Sequence, residues 1–339
     1  MLLTRTERGL YCEAGDFYVD PWQPVEAAVI THGHSDHARP GSRGYVCEAS
    51  GKPILLERLG AGSRIETLRY GESMSRNGVS VSLHPAGHIL GSAQVRIEHR
   101  GEVCVVSGDY KLEPDKTCEP FEPVRCQLFV TESTFGLPIY HWRQASDVFA
   151  EIEAWWCENQ AQARTSVLFC YALGKAQRLL SGLDAGIGPI FLHGTIERYL
   201  PAYRAAGSVF PATARVDVDS TKAAAGRGLV LAPVSANHSP WLRRFGELST
   251  AFASGWMQIR GARRRRSMDR GFALSDHVDW DGLLKAIELT GAETIWATHG
   301  YAGALVRWLR EHGKNAEAIE TRYLEELEEQ REPGLEGRP

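Results

Sequence analysis

Residues 31–37, which read Thr-His-Gly-His-Ser-Asp-His, constrain this chain more than any other segment. They follow an apolar stretch, residues 25–30, that predicts a buried strand. Imidazole and carboxylate groups are ligands that zinc takes in proteins, and a strand end holds such ligands on a rigid scaffold. A merely compositional histidine-rich loop would lack both the strand and the ordered Asp36. The run therefore predicts a metal site.

Length and composition indicate an ordinary globular protein. The 339 residues suffice for two compact domains or one large one. The net charge of −4 supplies no overall positive field, so nucleic-acid binding would need a local patch. Residues 1–9 lack a signal-peptide core, and no apolar run approaches the roughly 20 residues of a membrane span. Seven cysteines without a Cys-x-x-Cys pair predict reduced thiols, hence a cytoplasmic protein with no membrane partner.

The periodicity of the chain changes near residue 140. Before it, residues 79–84 and 93–98 alternate with period two, as strands do, and Gly101 predicts a hairpin turn. After it, predicted strands and helices alternate, which is typical of a parallel-sheet α/β domain. Beyond Trp256 the character of the first part returns, and residues 316–330 predict a charged helix.

Three further residues extend the metal pattern. His88 lies in the sequence Pro-Ala-Gly-His-Ile-Leu-Gly-Ser, Asp109 follows an apolar strand in Val-Val-Ser-Gly-Asp-Tyr, and Asp20 ends the predicted strand Phe17–Val19. In this order, Asp20, the His-x-His-x-Asp-His run, His88 and Asp109 resemble the motifs of the metallo-β-lactamase superfamily. The resemblance implies that Asp20 supports a ligand without binding metal itself.

Later motifs narrow the resemblance to the β-CASP nucleases of that superfamily. They are Glu132 in Val-Thr-Glu-Ser-Thr, residues 169–178, His277 in Leu-Ser-Asp-His-Val-Asp, and His299 in Ala-Thr-His-Gly. The fold implied is a metallo-β-lactamase αββα sandwich interrupted by an inserted β-CASP α/β domain. We expect residues 1–140 and 250–325 in the first domain, 141–250 in the insertion, and 326–339 as a tail.

This resemblance implies a two-zinc centre, with manganese as the alternative metal. One zinc would be held by His32, His34 and His88, the other by Asp36, His37 and His299, and Asp109 would bridge them. Such a pair activates a water and clamps the scissile phosphate, a role in which Asp36 is also catalytic. His277 would protonate the leaving oxygen, and Glu132 would orient His277 and stabilise its charged form.

Residues 255–266 and 269–272 resemble the bacterial ligase-associated DNA exonucleases, which implies DNA repair and DNA ligase and helicase partners. The arginine run within them can neutralise phosphates, and a helix begins near His193. The candidate substrate contacts are Arg260, Arg263, Arg264, Arg265, Arg266, Lys175 and His193.

We therefore expect a DNA exonuclease whose partner is nucleic acid, DNA rather than RNA. The alternative is an RNA-processing β-CASP ribonuclease, which His299 supports because Artemis-type DNA enzymes usually carry valine there. Small-molecule zinc hydrolases lack the inserted domain and the pair of Glu132 and His277. A binding module with an inactive centre is disfavoured because every implied ligand is present.

Overall fold

The computed structural model describes residues 2–237, 239–259 and 268–319. These residues form two compact units of mixed α/β structure. Among the described residues, the first contains residues 2–141 and 277–319, and the second is Trp142–Asp276. No helix in this part of the chain combines the length and the hydrophobicity that crossing a lipid bilayer requires.

The first unit contains two sheets. The strands of the six-stranded sheet, in spatial order, are β1 Thr4–Thr6, β2 Gly9–Cys12, β3 Phe17–Val19, β4 Ala28–Val29, β5 Tyr45–Glu48 and β6 Ile65–Leu68. The seven-stranded sheet has the order β19-β18-β11-β10-β9-β8-β7, with β7 Ser73–Arg76, β8 Val79–Pro85, β9 Ala93–His99, β10 Glu102–Val106, β11 Leu128–Glu132, β18 Thr294–Thr298 and β19 Asn315–Ala318.

The helices that the structure describes, with four short 3-10 turns, connect the strands. The α-helices are α1 Lys52–Leu59, α2 Ala145–Ala161, α3 Lys175–Gly182, α4 Gly194–Glu197, α5 Leu200–Ala205, α6 Val218–Ala224, α7 Trp280–Thr290 and α8 Ala302–Glu311. The 3-10 turns are Ala49–Gly51, Val234–Ala236, Leu242–Phe245 and Gly255–Gln258.

The two sheets of the first unit pack face to face. Because alternate residues of a strand point to opposite sides, each sheet turns one set of side chains toward the other sheet and one set outward. Val106 of β10 lies in the core between the sheets with Phe17 of β3. Its neighbour Val105 lies on the other side, in a cluster with Leu283 of α7 and Leu305 of α8. Helix α1 covers the outer face of the six-stranded sheet. The first unit thus has four layers: helix, sheet, sheet and helices.

Parallel pairing in the seven-stranded sheet explains where polar residues gather. β10 pairs with β11, and β11 pairs with β18, both in parallel. Glu132 and Thr298 are paired partners at the ends of their strands. Because parallel strands end at the same sheet edge, the segments that follow β10, β11 and β18 lie side by side.

The second unit is built on a parallel sheet in the order β14-β13-β15-β12-β16-β17. Its strands are β12 Thr165–Phe169, β13 Ile190–Leu192, β14 Thr213–Arg215, β15 Leu229–Ala232, β16 Leu248–Ala253 and β17 Arg270–Phe272. Trp156 of α2 and Leu179 of α3 pack against Leu168 and Leu231 of the sheet.

Two expectations from the sequence differ from the structure. The second unit ends at Asp276, beyond the boundary expected near residue 250, because β16 and β17 pair in its sheet. The helix expected over residues 316–330 is wrong at its start, where Asn315–Ala318 is a strand paired with β18. The remainder of that helix and the tail, residues 326–339, lie outside the described residues.

Candidate metal centre

The structure brings together all seven residues that the sequence assigns to metal. Four lie on the loop after β4, His88 follows β8, Asp109 follows β10, and His299 follows β18. They form two groups in which the potential ligand atoms lie within 4.8 Å of one another. The groups are His32, His34, His88 and Asp109, and Asp36, His37 and His299.

In the first group, three imidazole rings surround one point. The Nε2 atoms of His32 and His88 each lie 3.1 Å from Nδ1 of His34. The Oδ2 atom of Asp109 lies 3.3 Å from Nε2 of His32 and 3.8 Å from Nε2 of His88. Three nitrogens and one carboxylate oxygen therefore face a common centre, a donor set that suits a divalent cation.

The second group lies directly beside the first, and its His37 approaches Asp109 of the first group. Nε2 of His37 lies 3.7 Å from Oδ2 of Asp36 and 3.6 Å from Oδ2 of Asp109. The rings of His37 and His299 stack with their centroids 5.2 Å apart. Because Oδ2 of Asp109 approaches histidines of both groups, Asp109 could contribute to holding a cation in either group.

Buried partners fix the orientation of two of these histidines. Asp20 accepts a hydrogen bond from Nδ1 of His37 at 2.7 Å, and it also accepts the backbone N–H and the hydroxyl of Thr31. The hydroxyl of Thr298 lies 2.7 Å from Nδ1 of His299. A carboxylate can only accept, so His37 carries its proton on Nδ1 and presents Nε2 to the metal side.

We expect Asp20→Asn to weaken metal binding by about 10–100-fold, the usual effect of losing a carboxylate behind a ligating histidine. The asparagine would no longer offer His37 an anionic acceptor. A competition titration with a chromophoric chelator measures this affinity. The control is Asp16→Asn, because Asp16 is an exposed acid whose carboxylate accepts from the Tyr11 hydroxyl and whose carbonyl accepts from the Arg76 side chain. Unchanged affinity in Asp20→Asn would remove Asp20 from the site.

The electrostatics of the site keep His32 and His299 neutral but favour the charged form of His37. Burial and neighbouring imidazoles lower the pKa of His32 well below its ordinary value, and they lower the pKa of His299 to about 3. Burial also acts to lower the pKa of His37, but Asp36, Asp109 and Asp20 outweigh it and raise that pKa well above its ordinary value. These three acids thus favour the protonated, positively charged form of His37.

The residues fit a pair of divalent cations. Oδ1 of Asp36 and Oδ1 of Asp109 are buried and have no hydrogen-bond partner among the described residues. A buried carboxylate oxygen without a donor is costly, and a bound cation would satisfy it. Together with the imidazole nitrogens of both groups, these oxygens form two adjacent sets of donors.

A second polar pair adjoins the metal ligands. Glu132 is 1% exposed at the end of β11, and its Oε2 lies 2.9 Å from Nδ1 of His277. Its Oε1 accepts the backbone N–H of Tyr110 at 2.7 Å. The His277 ring is half-buried, 4.8 Å from the His88 ring by centroids. Since Nδ1 donates to Glu132, His277 would exchange a proton with a ligand through Nε2.

The candidate substrate contacts are placed differently. Lys175 is 2% exposed, with Nζ 2.8 Å from Oδ2 of Asp276, so this ammonium is engaged inside the second unit. This burial does not support a direct contact to substrate phosphate. His193 begins α4 and accepts the N–H of Thr195, while burial and Arg215 lower its pKa. Arg260, Arg263, Arg264, Arg265 and Arg266 lie outside the described residues.

Sequence analysis missed the hydroxyl residues that hold the ligand loops. Ser133 Oγ donates to the carbonyls of Thr298 and His299, at 2.7 and 2.6 Å. These bonds support His299 in a left-handed backbone conformation, with φ of 60°. The signal in the sequence is adjacency: Thr31, Ser133 and Thr298 each stand directly beside a site residue.

Several known proteins are similar to this chain in sequence. No protein-family model matches the chain. It is 33% identical over 315 residues to a protein from Opitutus terrae named probable DNA ligase, covering 92% of this chain and 30% of that protein. It is 32% identical over 124 residues to cleavage and polyadenylation specificity factor subunit 3 of Dictyostelium discoideum, covering 36% of this chain and 16% of that protein.

Two bacterial proteins complete the comparison. Ribonuclease TTHA0252 of Thermus thermophilus is 28% identical over 192 residues, covering 48% of this chain and 44% of that protein. The chain therefore spans less than half the length of each of these relatives. A solved protein of unknown function from Enterococcus faecalis has the same fold, with a TM-score of 0.57 and 13% identity over 86% of this chain and 78% of that one.

The class of protein among the relatives and the residues of the site point to the same kind of protein. The matched proteins include a cleavage and polyadenylation specificity factor subunit and a bacterial ribonuclease, and the site contains, in order, the motif residues from Asp20 to His299. The homologues of this chain therefore include nucleases of the β-CASP family of the metallo-β-lactamase superfamily.

Proposed function

We propose that this chain is a two-zinc phosphodiesterase that acts as a DNA exonuclease in DNA repair. The observation that carries the proposal is the buried convergence of two ligand groups beside the pair of Glu132 and His277. The first unit would be the αββα metallo-β-lactamase domain, and the second unit the inserted β-CASP domain.

The ligands would divide between two metals. His32, His34 and His88 would hold one cation, Asp36, His37 and His299 the other, and Asp109 both. Bound there, a pair of divalent cations supplies a nucleophilic water at neutral pH and neutralises charge on the scissile phosphate. Neutral imidazoles favour zinc over magnesium, which prefers oxygen ligands, and manganese remains the alternative. Metal analysis of the purified protein identifies the ion.

A side chain of the protein would supply the proton that the leaving group needs. His277 would donate a proton from Nε2 to the leaving 3′ oxygen, which is a poor leaving group as an alkoxide. Glu132 accepts a hydrogen bond from Nδ1 of His277 at 2.9 Å, which would fix the ring and stabilise its cationic form. Because Glu132 is itself held by the Tyr110 N–H, the acid has a defined position.

The choice of DNA rests on the relative that matches nearly the whole chain. It is named a probable DNA ligase, and the match occupies only 30% of it. A nuclease joined to a ligase in one polypeptide would prepare the ends that the ligase seals. A DNA ligase is therefore a partner that we propose, and the resemblance to the ligase-associated exonucleases adds a helicase. All seven cysteines are free thiols, which suits work in the cytoplasm.

The alternative is an RNA-processing nuclease. One relative is named a ribonuclease, and another is named for cleavage and polyadenylation. Each of these matches covers less than half of this chain. His299, which lies in the second ligand group, is the residue within the site that supports this alternative.

Cleavage of matched oligonucleotides separates the two substrates. We expect 5′-labelled and 3′-labelled single-stranded DNA to be cleaved at least about tenfold faster than RNA of the same sequence, because the 2′-hydroxyl distinguishes the two polymers. Stepwise shortening from an end would support an exonuclease, and internal products would contradict one. The His88→Ala protein, purified in parallel, controls for contaminating nucleases. An RNA preference of about tenfold would overturn the choice of DNA.

A further inference from the structure

A buried lysine lies behind the metal ligands and has no role in the chemistry proposed above. Lys111 is 2% exposed and follows Asp109 by two residues. Its ammonium donates to the carbonyl of Gly87 at 2.6 Å and to Oδ2 of Asp115 at 2.6 Å, and it lies 3.8 Å from Sγ of Cys118. An ammonium has three donors, so these three contacts use all of them.

The contact with Gly87 joins two ligand segments. Gly87 directly precedes His88, and Lys111 lies on the segment that begins at Asp109. A backbone bond from the Lys111 N–H to the carbonyl of Ala86, at 3.2 Å, makes a second connection. Lys111 is therefore bonded, through backbone and side chain, to the two residues that immediately precede a proposed metal ligand.

Close packing makes this connection sensitive to small changes. Gly87 has φ of +76°, and a Cβ atom there would lie 2.3 Å from the carbonyl oxygen of Lys111 and 3.0 Å from the N atom of Phe121. The two segments approach so closely that no side chain fits between them. Asp115, which also accepts from the backbone and hydroxyl of Thr117, supplies the charge that allows the ammonium to be buried.

We propose that Lys111 is a positioning residue that holds His88 and Asp109 at the separation required for metal binding. The inference rests on the proposed metal centre. The lysine does not touch the ligand atoms. It acts through the Gly87 carbonyl, in the manner of the outer contacts that set the geometry of metal sites. Its loss should therefore change how well and in what geometry the metal is bound, besides any change in stability.

Cobalt binding tests the inference with a spectroscopic measurement. The wild-type protein, Lys111→Met and the control Lys116→Met, which alters an exposed lysine of the same loop, are titrated with Co²⁺. We expect Lys111→Met to bind cobalt about 10–100-fold more weakly with a changed visible spectrum, and Lys116→Met to match the wild type. Thermal melting of the metal-free proteins measures stability separately.

Unchanged cobalt affinity and spectrum in a folded Lys111→Met protein would overturn the inference, even if its melting temperature fell. If Lys111→Met does not fold because Asp115 is left buried with its charge, the double variant Lys111→Met, Asp115→Asn removes both charges. That variant is then titrated with the same expected loss and the same contradicting result. A wild-type protein that binds no cobalt would overturn the metal centre itself, which separates that failure from failure of the Lys111 inference alone.

Discussion

Replacing His88 with alanine should abolish phosphodiester cleavage, with kcat falling by at least about 10⁴-fold, the scale reached when one member of a cooperating catalytic group is removed. His88 supplies one of three imidazole nitrogens around a single point, and its Nε2 also approaches the carboxylate of Asp109. Without it, the first ligand group loses one of its three nitrogen donors. Single-turnover cleavage of an end-labelled oligonucleotide measures the loss.

The chain offers a matched control for this substitution. His84 is a half-buried histidine on β8, four residues earlier, where it contacts Ser82 and Glu122 and belongs to neither ligand group. We expect His84→Ala to keep its cleavage rate within about threefold of the wild type, the variation typical of a change outside the site. A His88→Ala protein that turns over substrate at the wild-type rate would refute the assignment of metal ligands.

Replacing His277 with alanine should slow the chemical step by about 10²–10⁴-fold while changing substrate binding much less, as expected for loss of a general acid. The effect should depend on the leaving group. On a p-nitrophenyl ester of thymidine 5′-phosphate, whose leaving group needs no proton, the loss should shrink to about tenfold or less.

His141→Ala is the control for the His277 experiment. His141 also pairs with a carboxylate, Asp281, but it is exposed and lies outside the ligand groups. We expect His141→Ala to cleave both substrates at the wild-type rate. An equal loss on the oligonucleotide and the p-nitrophenyl ester in His277→Ala would mean that His277 acts by some means other than protonating the leaving group.

Most of the proposed metal ligands could be located from the sequence because they follow strands that the sequence indicates. The alternating residues 79–84 and 93–98 became β8 and β9, and Glu132 ends the buried strand β11. Local pattern and ligand chemistry coincide at these positions. The grouping of the ligands came from resemblance, since spacing along the chain does not state which strand ends meet.

Other features depend on partners far away in the sequence. Residues 315–318 have a helix-like composition, but pairing with β18 makes them a strand, because tertiary context overrides local propensity. Arg270–Phe272 is too short to carry a pattern, yet it completes the sheet of the second unit beside β16. The sequence predicts that Lys175 contacts phosphate, but the ammonium of Lys175 lies beside Asp276, which is distant in the sequence.

The most direct test of the two-metal centre is a crystal structure of the zinc-loaded protein with anomalous scattering recorded at the zinc edge. Two anomalous peaks are expected, roughly 3.5–4 Å apart. One should lie among His32, His34 and His88, the other among Asp36, His37 and His299, with Asp109 touching both. Peaks elsewhere in the molecule, or none among these seven side chains, would contradict the metal centre and the hydrolytic function inferred from it.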